Sequence, residues 1–114
     1  MITVAGRAVV PPDADAIEGA LLRVEVRDAA LADAPSVLLA AHNQPGMSLR
    51  PGQELTFAVQ VEHVPSGAVL TLRVHVDRTG DGLVHTGDLL STRFHRIPNT
   101  GTTDAVVVPL TVIE

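Results

Sequence analysis

Aliphatic side chains recur at every second position over several stretches of this chain, and this rhythm constrains the fold more than any other feature. Leu70, Leu72, Val74 and Val76 alternate with threonine, arginine, histidine and aspartate, and residues 55–62 repeat the pattern. A period of two places all the apolar side chains of a strand on one side of a β-sheet. The sequence therefore predicts half-buried β-strands rather than helices.

Seven predicted strands, four of them with this alternation and the first rich in β-branched residues, are separated by turns rich in Pro, Gly, Asn and Asp. They cover residues 2–10, 22–27, 37–44, 55–62, 70–77, 90–95 and 105–113. Short strands at this spacing, with no amphipathic helix between them, are typical of antiparallel sandwiches. We expect an all-β fold, a seven-stranded antiparallel immunoglobulin-like β-sandwich, with a small barrel as the alternative.

Prolines set several of the predicted strand limits. Pro11 and Pro12 end the first strand, and residues 13–19 are expected to form a polar connection or a short helical turn. Pro45, which precedes a glycine, is expected to break the third strand. Pro109 has no N–H for the ladder, so it predicts an edge position or a bulge in the last strand.

Length and composition indicate the number of domains and exclude several classes of function. The 114 residues suit a single domain, residues 1–114. There is no cysteine, which excludes disulfides, thiolate zinc sites and cysteine nucleophiles. A net charge of −5, from 13 acidic and 8 basic residues, argues against a nucleic-acid partner. Phe57 and Phe94 are the only aromatic residues, so we expect an aliphatic core.

The N-terminus gives no export signal as written. Residues 1–6 contain no basic region followed by an apolar segment, and no apolar run approaches the ~20 residues of a membrane helix. The sequence by itself therefore predicts a chain that stays in the cytoplasm, unless a leader has been removed.

An acidic stretch, residues 77–88, lies between two predicted strands and has the spacing of a calcium loop. Oxygen-bearing residues occupy its first, third, fifth and twelfth positions, the sixth is glycine, and the seventh would offer its carbonyl. The predicted calcium ligands are Asp77, Thr79, Asp81, Leu83 and Asp88. Asp88 is shorter than the usual bidentate glutamate, and strands rather than helices flank the loop.

The same stretch can also be explained as a long hairpin without an ion. Gly80, Gly82 and Gly87 would then supply positive φ angles, while the aspartates cap local N–H groups. Both interpretations of the loop remain open from the sequence.

The histidines and hydroxyl residues give weaker evidence for a zinc site or a catalytic site. If Val76 lies opposite Leu90, His75 and His95 point outward about 13 Å apart at the usual strand rise, too far to share one zinc ion. We therefore expect solvated surface histidines. Ser91 beside His75 is the nearest nucleophile and base, but an open sheet face offers no pocket, so we expect no enzymatic activity.

Several segments resemble the YbaY/YscW lipoprotein family, which includes pilotin-like chaperones of type III secretion. They are Pro11-Pro12, residues 22–28, residues 30–40 and the closing Gly-Thr-Thr-Asp of residues 101–104. The most specific is Asp-x-x-Leu-Ala-Asp-Ala-Pro-Ser, residues 28–36. The resemblance implies a small β-sandwich, a binding or chaperone role for an outer-membrane ring protein, and the cell envelope as location. The chain departs from the family in its longer acidic loop and in lacking a lipid-bearing cysteine.

Three functions follow as hypotheses from the sequence. The first is a protein-binding module that uses a sheet face or edge. The second is a structural module stabilised by calcium. The third is a small-ligand binder or enzyme that uses the predicted outer face of Arg73, His75, Ser91, Arg93 and His95.

Overall fold

The computed structural model describes residues 1–31, 33–91, 95–98 and 102–114. Within these ranges the chain forms nine β-strands and no helix, which confirms the all-β class. The strands are β1 (Ile2–Val9), β2 (Ile17–Asp28), β3 (Val37–Leu49), β4 (Glu54–Val61), β5 (Leu70–Asp77), β6 (Leu89–Leu90), β7 (His95–Arg96), β8 (Thr102–Pro109) and β9 (Thr111–Val112). The described part of the chain contains no helix with the length and hydropathy needed to span a membrane.

The strands form two sheets that enclose the core. The three-stranded sheet has the order β4-β1-β8, and the six-stranded sheet has the order β3-β2-β5-β6-β9, with β7 also paired to β5. Among the described strands, β1 and β8 pair in parallel and all other pairings are antiparallel. The sandwich-like arrangement agrees with the prediction, but the seven-stranded, wholly antiparallel immunoglobulin pattern is not confirmed.

The chain changes sheets near its C-terminus. β8 lies at an edge of the three-stranded sheet, where Pro109 pairs with Val9 at the end of the ladder. The Leu110 N–H donates to the Val9 carbonyl, and two residues later Val112 pairs with Leu89 in the other sheet. The predicted edge position of Pro109 is confirmed, because an edge strand can carry a residue without an N–H.

Two strands are longer than predicted. β2 begins at Ile17, where a short helical turn or loop was expected, and β3 continues through Pro45 to Leu49. β3 is an edge strand, and its outer side has no neighbouring strand that would need a hydrogen bond from Pro45. Gly46 has a φ of 68°, and the register with β2 shifts nearby, so the strand bends without ending. The predicted break at this point was therefore wrong.

The other strand predictions agree closely with the structure where it is described. β5 has the predicted bounds, and β4 differs from its predicted segment by one residue at each end. The predicted sixth strand, residues 90–95, is seen only at its ends, in β6 and β7, and residues 92–94 lie outside the described residues.

The core between the sheets is aliphatic, as predicted. Val4 of the three-stranded sheet and Leu22, Val24, Val74 and Val76 of the six-stranded sheet are fully buried. Burying one such side chain contributes about 1.5–3 kcal/mol. The described core residues are, with the exception of Phe57, aliphatic side chains.

One strand of the six-stranded sheet is covered on both faces. The even-numbered residues of β5 face the core, yet Thr71, His75 and Asp77 on the opposite face are also buried. The acidic loop that follows β5 contacts this outer face through Asp88. The loop therefore packs against the sheet, and it places polar groups in a buried position.

Candidate functional site

The Asp77 carboxylate organises the start of the acidic loop. Its Oδ1 accepts hydrogen bonds from the Gly80 N–H at 2.8 Å and from the N–H and hydroxyl of Thr79 at 3.1 and 3.2 Å. Its Oδ2 accepts from the Gly82 N–H at 2.8 Å. Burial raises the pKa of Asp77, but these hydrogen bonds outweigh burial and hold the pKa below its usual value.

The Asp88 carboxylate closes the other end of the loop. Its Oδ2 lies 2.9 Å from His75 Nε2 and accepts from the His85 N–H at 3.0 Å, while Oδ1 accepts from the Arg78 N–H at 3.1 Å. An ionised carboxylate only accepts, so the His75 Nε2–H donates. Burial raises the pKa of Asp88, but the bonds from His75, His85 and Arg78 lower it further than burial raises it.

The tip of the loop is exposed and has its own pair of side chains. Asp81 Oδ2 lies 2.7 Å from His85 Nε2, and Asp81 Oδ1 accepts from the Leu83 N–H at 2.9 Å. These bonds lower the pKa of Asp81 to about 2, and the same carboxylate raises the pKa of His85. Thr79, Asp81 and Leu83 are all exposed, in contrast to the buried Asp77 and Asp88.

The loop brings together some of the predicted calcium ligands with a histidine. The ligand atoms of His75, Asp77 and Asp88 lie within 4.8 Å of one another, and all three residues are buried. Calcium prefers oxygen, so the two carboxylates suit it and the imidazole does not. The carboxylate oxygens already accept N–H bonds, as the hairpin interpretation predicts, and Gly80, Gly82 and Gly87 have the predicted positive φ. Calcium binding stays a prediction.

The expectation that His75 is a solvated surface residue was wrong. Its exposed fraction is 1%, because the acidic loop lies against it. The pairing is also shifted by one residue from the prediction, since His75 rather than Val76 lies opposite Leu90. Sequence spacing gives the outward direction of His75 correctly but does not show that a loop returns to cover that face.

Ser91 is likewise buried and bonded to the sheet. Its hydroxyl accepts a hydrogen bond from the Val74 N–H at 2.8 Å, and its own N–H donates to the Val74 carbonyl. His75, the expected neighbouring base, is instead bonded to Asp88. Arg93, the further member of the predicted outer face, lies outside the described residues.

A small cavity of about 250 Å³ borders this face. Its described lining comes from β2, β5 and the segments next to them: Arg27, Ala29, Ser36, Thr71, Leu72, Arg73, Ser91 and His95. The His95 Nε2 atom is buried and has no hydrogen-bond partner among the described residues. The cavity lies beside Arg73 rather than beside the His75–Asp88 pair.

A buried glutamate surrounded by arginines is a feature that the sequence reasoning missed. The Glu25 carboxylate, 5% exposed, contacts Arg23 Nε at 2.9 Å, an Arg27 nitrogen at 3.1 Å and an Arg73 nitrogen at 3.4 Å. We call these four residues the arginine face. Burial raises the pKa of Glu25, but the Arg23 hydrogen bond and the three positive charges lower it more.

The signal for this cluster was present in the alternation of β2. Arg23, Glu25 and Arg27 occupy every second position, so all three point to the face opposite Val24 and Val26. The third arginine comes from β5, where Arg73 pairs with Glu25 in register. The sequence of β2 alone does not show which residue of β5 lies opposite Glu25, so the contribution of Arg73 was not predictable from it.

Comparison with known proteins gives one whole-length similarity. No protein-family model matches the chain, and no curated protein matches it. The chain is similar to an alternative pilotin from the type II secretion system of Vibrio cholerae, with a TM-score of 0.62 and 18% sequence identity. The match covers 98% of this chain and 96% of the pilotin chain. The fold of this protein is therefore pilotin-like over its whole length.

Proposed function

We propose that this chain is a non-enzymatic protein-binding module of a secretion system, similar to the YbaY/YscW domains, which binds a segment of an outer-membrane ring protein. The observation that carries the proposal is the whole-length fold similarity to a pilotin. The segments at residues 22–28 and 28–36 that resemble the YbaY/YscW family support the same class of function.

The chemistry of the described residues supports a binding role rather than catalysis. The buried imidazole of His75 is bonded to Asp88, and the Ser91 hydroxyl is bonded to the backbone of β5. A nucleophile needs a base within hydrogen-bond reach and access to substrate. Neither side chain has that arrangement here.

A titration with defined ring-protein segments tests the proposal. The purified chain is titrated by calorimetry with segments of each outer-membrane ring protein encoded in the same genome. We expect saturable one-to-one binding to one of them with a Kd near or below the micromolar range, equivalent to about −8 kcal/mol. Absence of binding to every such segment, with the chain shown to be folded, would contradict the proposal.

Calcium binding at residues 77–88 is a second, separate proposal. It is supported by the proximity of the Asp77 and Asp88 carboxylates, both of which are buried and have lowered pKa values. Because each oxygen already accepts N–H bonds, calcium would share these oxygens and would act by holding the loop against β5. The expected effect is stabilisation, which a thermal melt measures.

A further inference from the structure

Strand β3 is an open edge of the six-stranded sheet. Its 13 residues pair with β2 on one side, and β3 ends the strand order on the other. Residues 40–44 pair with β2 without interruption, while a register shift near Leu39 bends the strand before them. An edge strand presents a row of N–H and C=O groups that another extended segment can pair with.

The β3 edge lacks the charged side chains that usually protect such strands. Residues 37–44 contain no Lys, Arg, Asp or Glu. Val37 and Leu38 are 60% and 42% exposed, which is unusual for large aliphatic residues on an edge. Pro45 limits pairing beyond residue 44, so the accessible stretch is short.

Strand β4, one of the two edges of the other sheet, differs in both respects. β4 exposes Thr56, Ala58 and Gln60 rather than large aliphatic residues. Its charged neighbour Arg7 forms an exposed ion pair with Glu54 at 3.0 Å, so the two charges balance. β4 therefore offers neither apolar contacts nor net charge to a partner.

A positive surface lies next to β3. Three arginines and one glutamate give the arginine face a net charge of +2, in a chain whose total is −5. Arg23 donates to Asn43 of β3, and Arg27 donates to Ser36, just before β3 begins. Arg96 also lies on this side of the sheet, because it pairs with Thr71, but it belongs to β7, on the far side of β5 from β3.

We propose that an extended acidic segment of a partner protein adds to the six-stranded sheet alongside β3, with its carboxylates directed to the arginine face. This inference rests on the proposed function, since it names the surface and the chemistry of the protein that the module binds. A strand added to β3 lies about 10 Å from β2, two strand spacings away. Glutamate and arginine side chains span that gap, and their charges interact within the ~8 Å screening length of physiological salt.

Peptide selection tests the chemistry of the partner segment. Random peptides of about ten residues are displayed on phage and selected on the folded wild-type chain. We expect the enriched sequences to carry net negative charge and to alternate acidic with apolar residues. Enrichment of neutral or basic sequences would overturn the inference.

Backbone methylation of a selected peptide tests the mode of binding. Two forms are made, one N-methylated at its odd positions and the other at its even positions. An added strand donates to β3 from alternate residues only, so one form should bind at least about tenfold more weakly and the other should bind nearly normally. Equal affinity of both forms would contradict strand addition.

Matched variants of the protein test the location. Leu38→Asn should weaken binding of the selected peptide about fivefold, while Val107→Asn, at a residue 44% exposed on β8, should not. Arg23→Gln should weaken binding about threefold to tenfold and reduce its salt dependence, while Arg7→Gln on the other sheet should change neither. If Leu38→Asn and Val107→Asn weaken binding equally, or Arg23→Gln and Arg7→Gln do, the peptide does not bind at β3. Circular dichroism melts check that each variant is folded.

The outcomes separate this inference from the proposed function. If a ring-protein segment binds wild type and the Leu38→Asn and Arg23→Gln variants equally, the function stands and the β3 surface is wrong. If no ring-protein segment binds but acidic peptides add to β3, the surface stands and the function is wrong.

Discussion

At the scale of single residues, Asp77 tests the account of the acidic loop most simply. The substitution Asp77→Asn keeps the shape of the side chain but places an NH₂ group against one of the N–H donors that the carboxylate now accepts from. We expect a loss of about 1–3 kcal/mol in the free energy of unfolding, measured by urea denaturation. Asp81→Asn, at the exposed tip, is the control and should cost much less.

Protonation of buried carboxylates should destabilise the fold in acid. The folded pKa values of Asp77 and Asp88 lie below 3.8, and that of Glu25 lies below 4.5, which are their ordinary values. As the pH falls, these carboxylates therefore take up protons in the unfolded chain before they do so in the folded one. The stability that they contribute is fully present above their ordinary pKa values, and it is lost as the pH falls through their lower pKa values in the folded state.

Urea denaturation at a series of pH values measures this effect. The free energy of unfolding should decrease steadily below pH 4.5. The Asp77→Asn variant should show a shallower decrease, because it lacks one of the groups responsible. A wild-type stability that is flat down to pH 3 would contradict the assigned hydrogen bonds.

The residue types predicted the local turns and hydrogen bonds of the acidic loop, but they did not predict which residues the loop buries. The positive φ at Gly80, Gly82 and Gly87 and the capping role of Asp77 follow from local chemistry, so they were predictable from the sequence. The burial of His75 was not, because it depends on where the loop returns in space. The same limit applies to Glu25, whose third arginine comes from another strand.

At the scale of elements, Gly6 marks a close approach of β1 and β8. A Cβ atom at this position would collide with the Val106 carbonyl, next to a register shift in the parallel pairing. We expect Gly6→Ala to lower the free energy of unfolding by about 1–3 kcal/mol, the usual cost of overpacking. Ala5→Ser adds one atom at the preceding residue and should cost less. Equal stability of the Gly6→Ala variant and wild type would contradict the pairing of β1 with β8.

Strand positions were largely predictable, whereas strand partners were not. β4 and β5 follow directly from the alternation of aliphatic residues, and β1 follows from its β-branched residues and the prolines after it. The same alternation occurs in parallel and antiparallel neighbours, so it carries no information on the direction of β8 relative to β1. Long-range pairing decides that direction, and here it gives one parallel pair.

At the scale of the whole molecule, calcium should raise the melting temperature if the loop binds it. Melts are recorded in millimolar calcium chloride and in excess chelator. At a calcium concentration of about 100 times the Kd, binding to the folded state stabilises by about 2.7 kcal/mol, which is a shift of about ten degrees for a domain of this size. The control is Asp77→Asn, which should remove the difference. Identical melts of wild type in both conditions would exclude calcium as a stabilising ligand.

The two-sheet architecture leaves one face of the six-stranded sheet outside the core. One face of the six-stranded sheet packs against the three-stranded sheet, and the other carries the arginine face and the acidic loop. Arg23 and Arg27 of β2 donate to Asn43 and Ser36 at the β3 side of this outer face, while Asp88 contacts His75 near the other end of β5. The acidic segment proposed above would meet the arginines on the β3 side of the sheet.

Hydrogen exchange of the chain with and without a ring-protein segment measures both whether that segment binds and where it binds. We expect the unpaired amides of β3 to exchange at least about tenfold more slowly in the complex, while the amides of β8, at an edge of the other sheet, are unchanged. An exchange pattern that stays the same at every amide when each candidate segment is added would contradict the proposal that this chain is a protein-binding module.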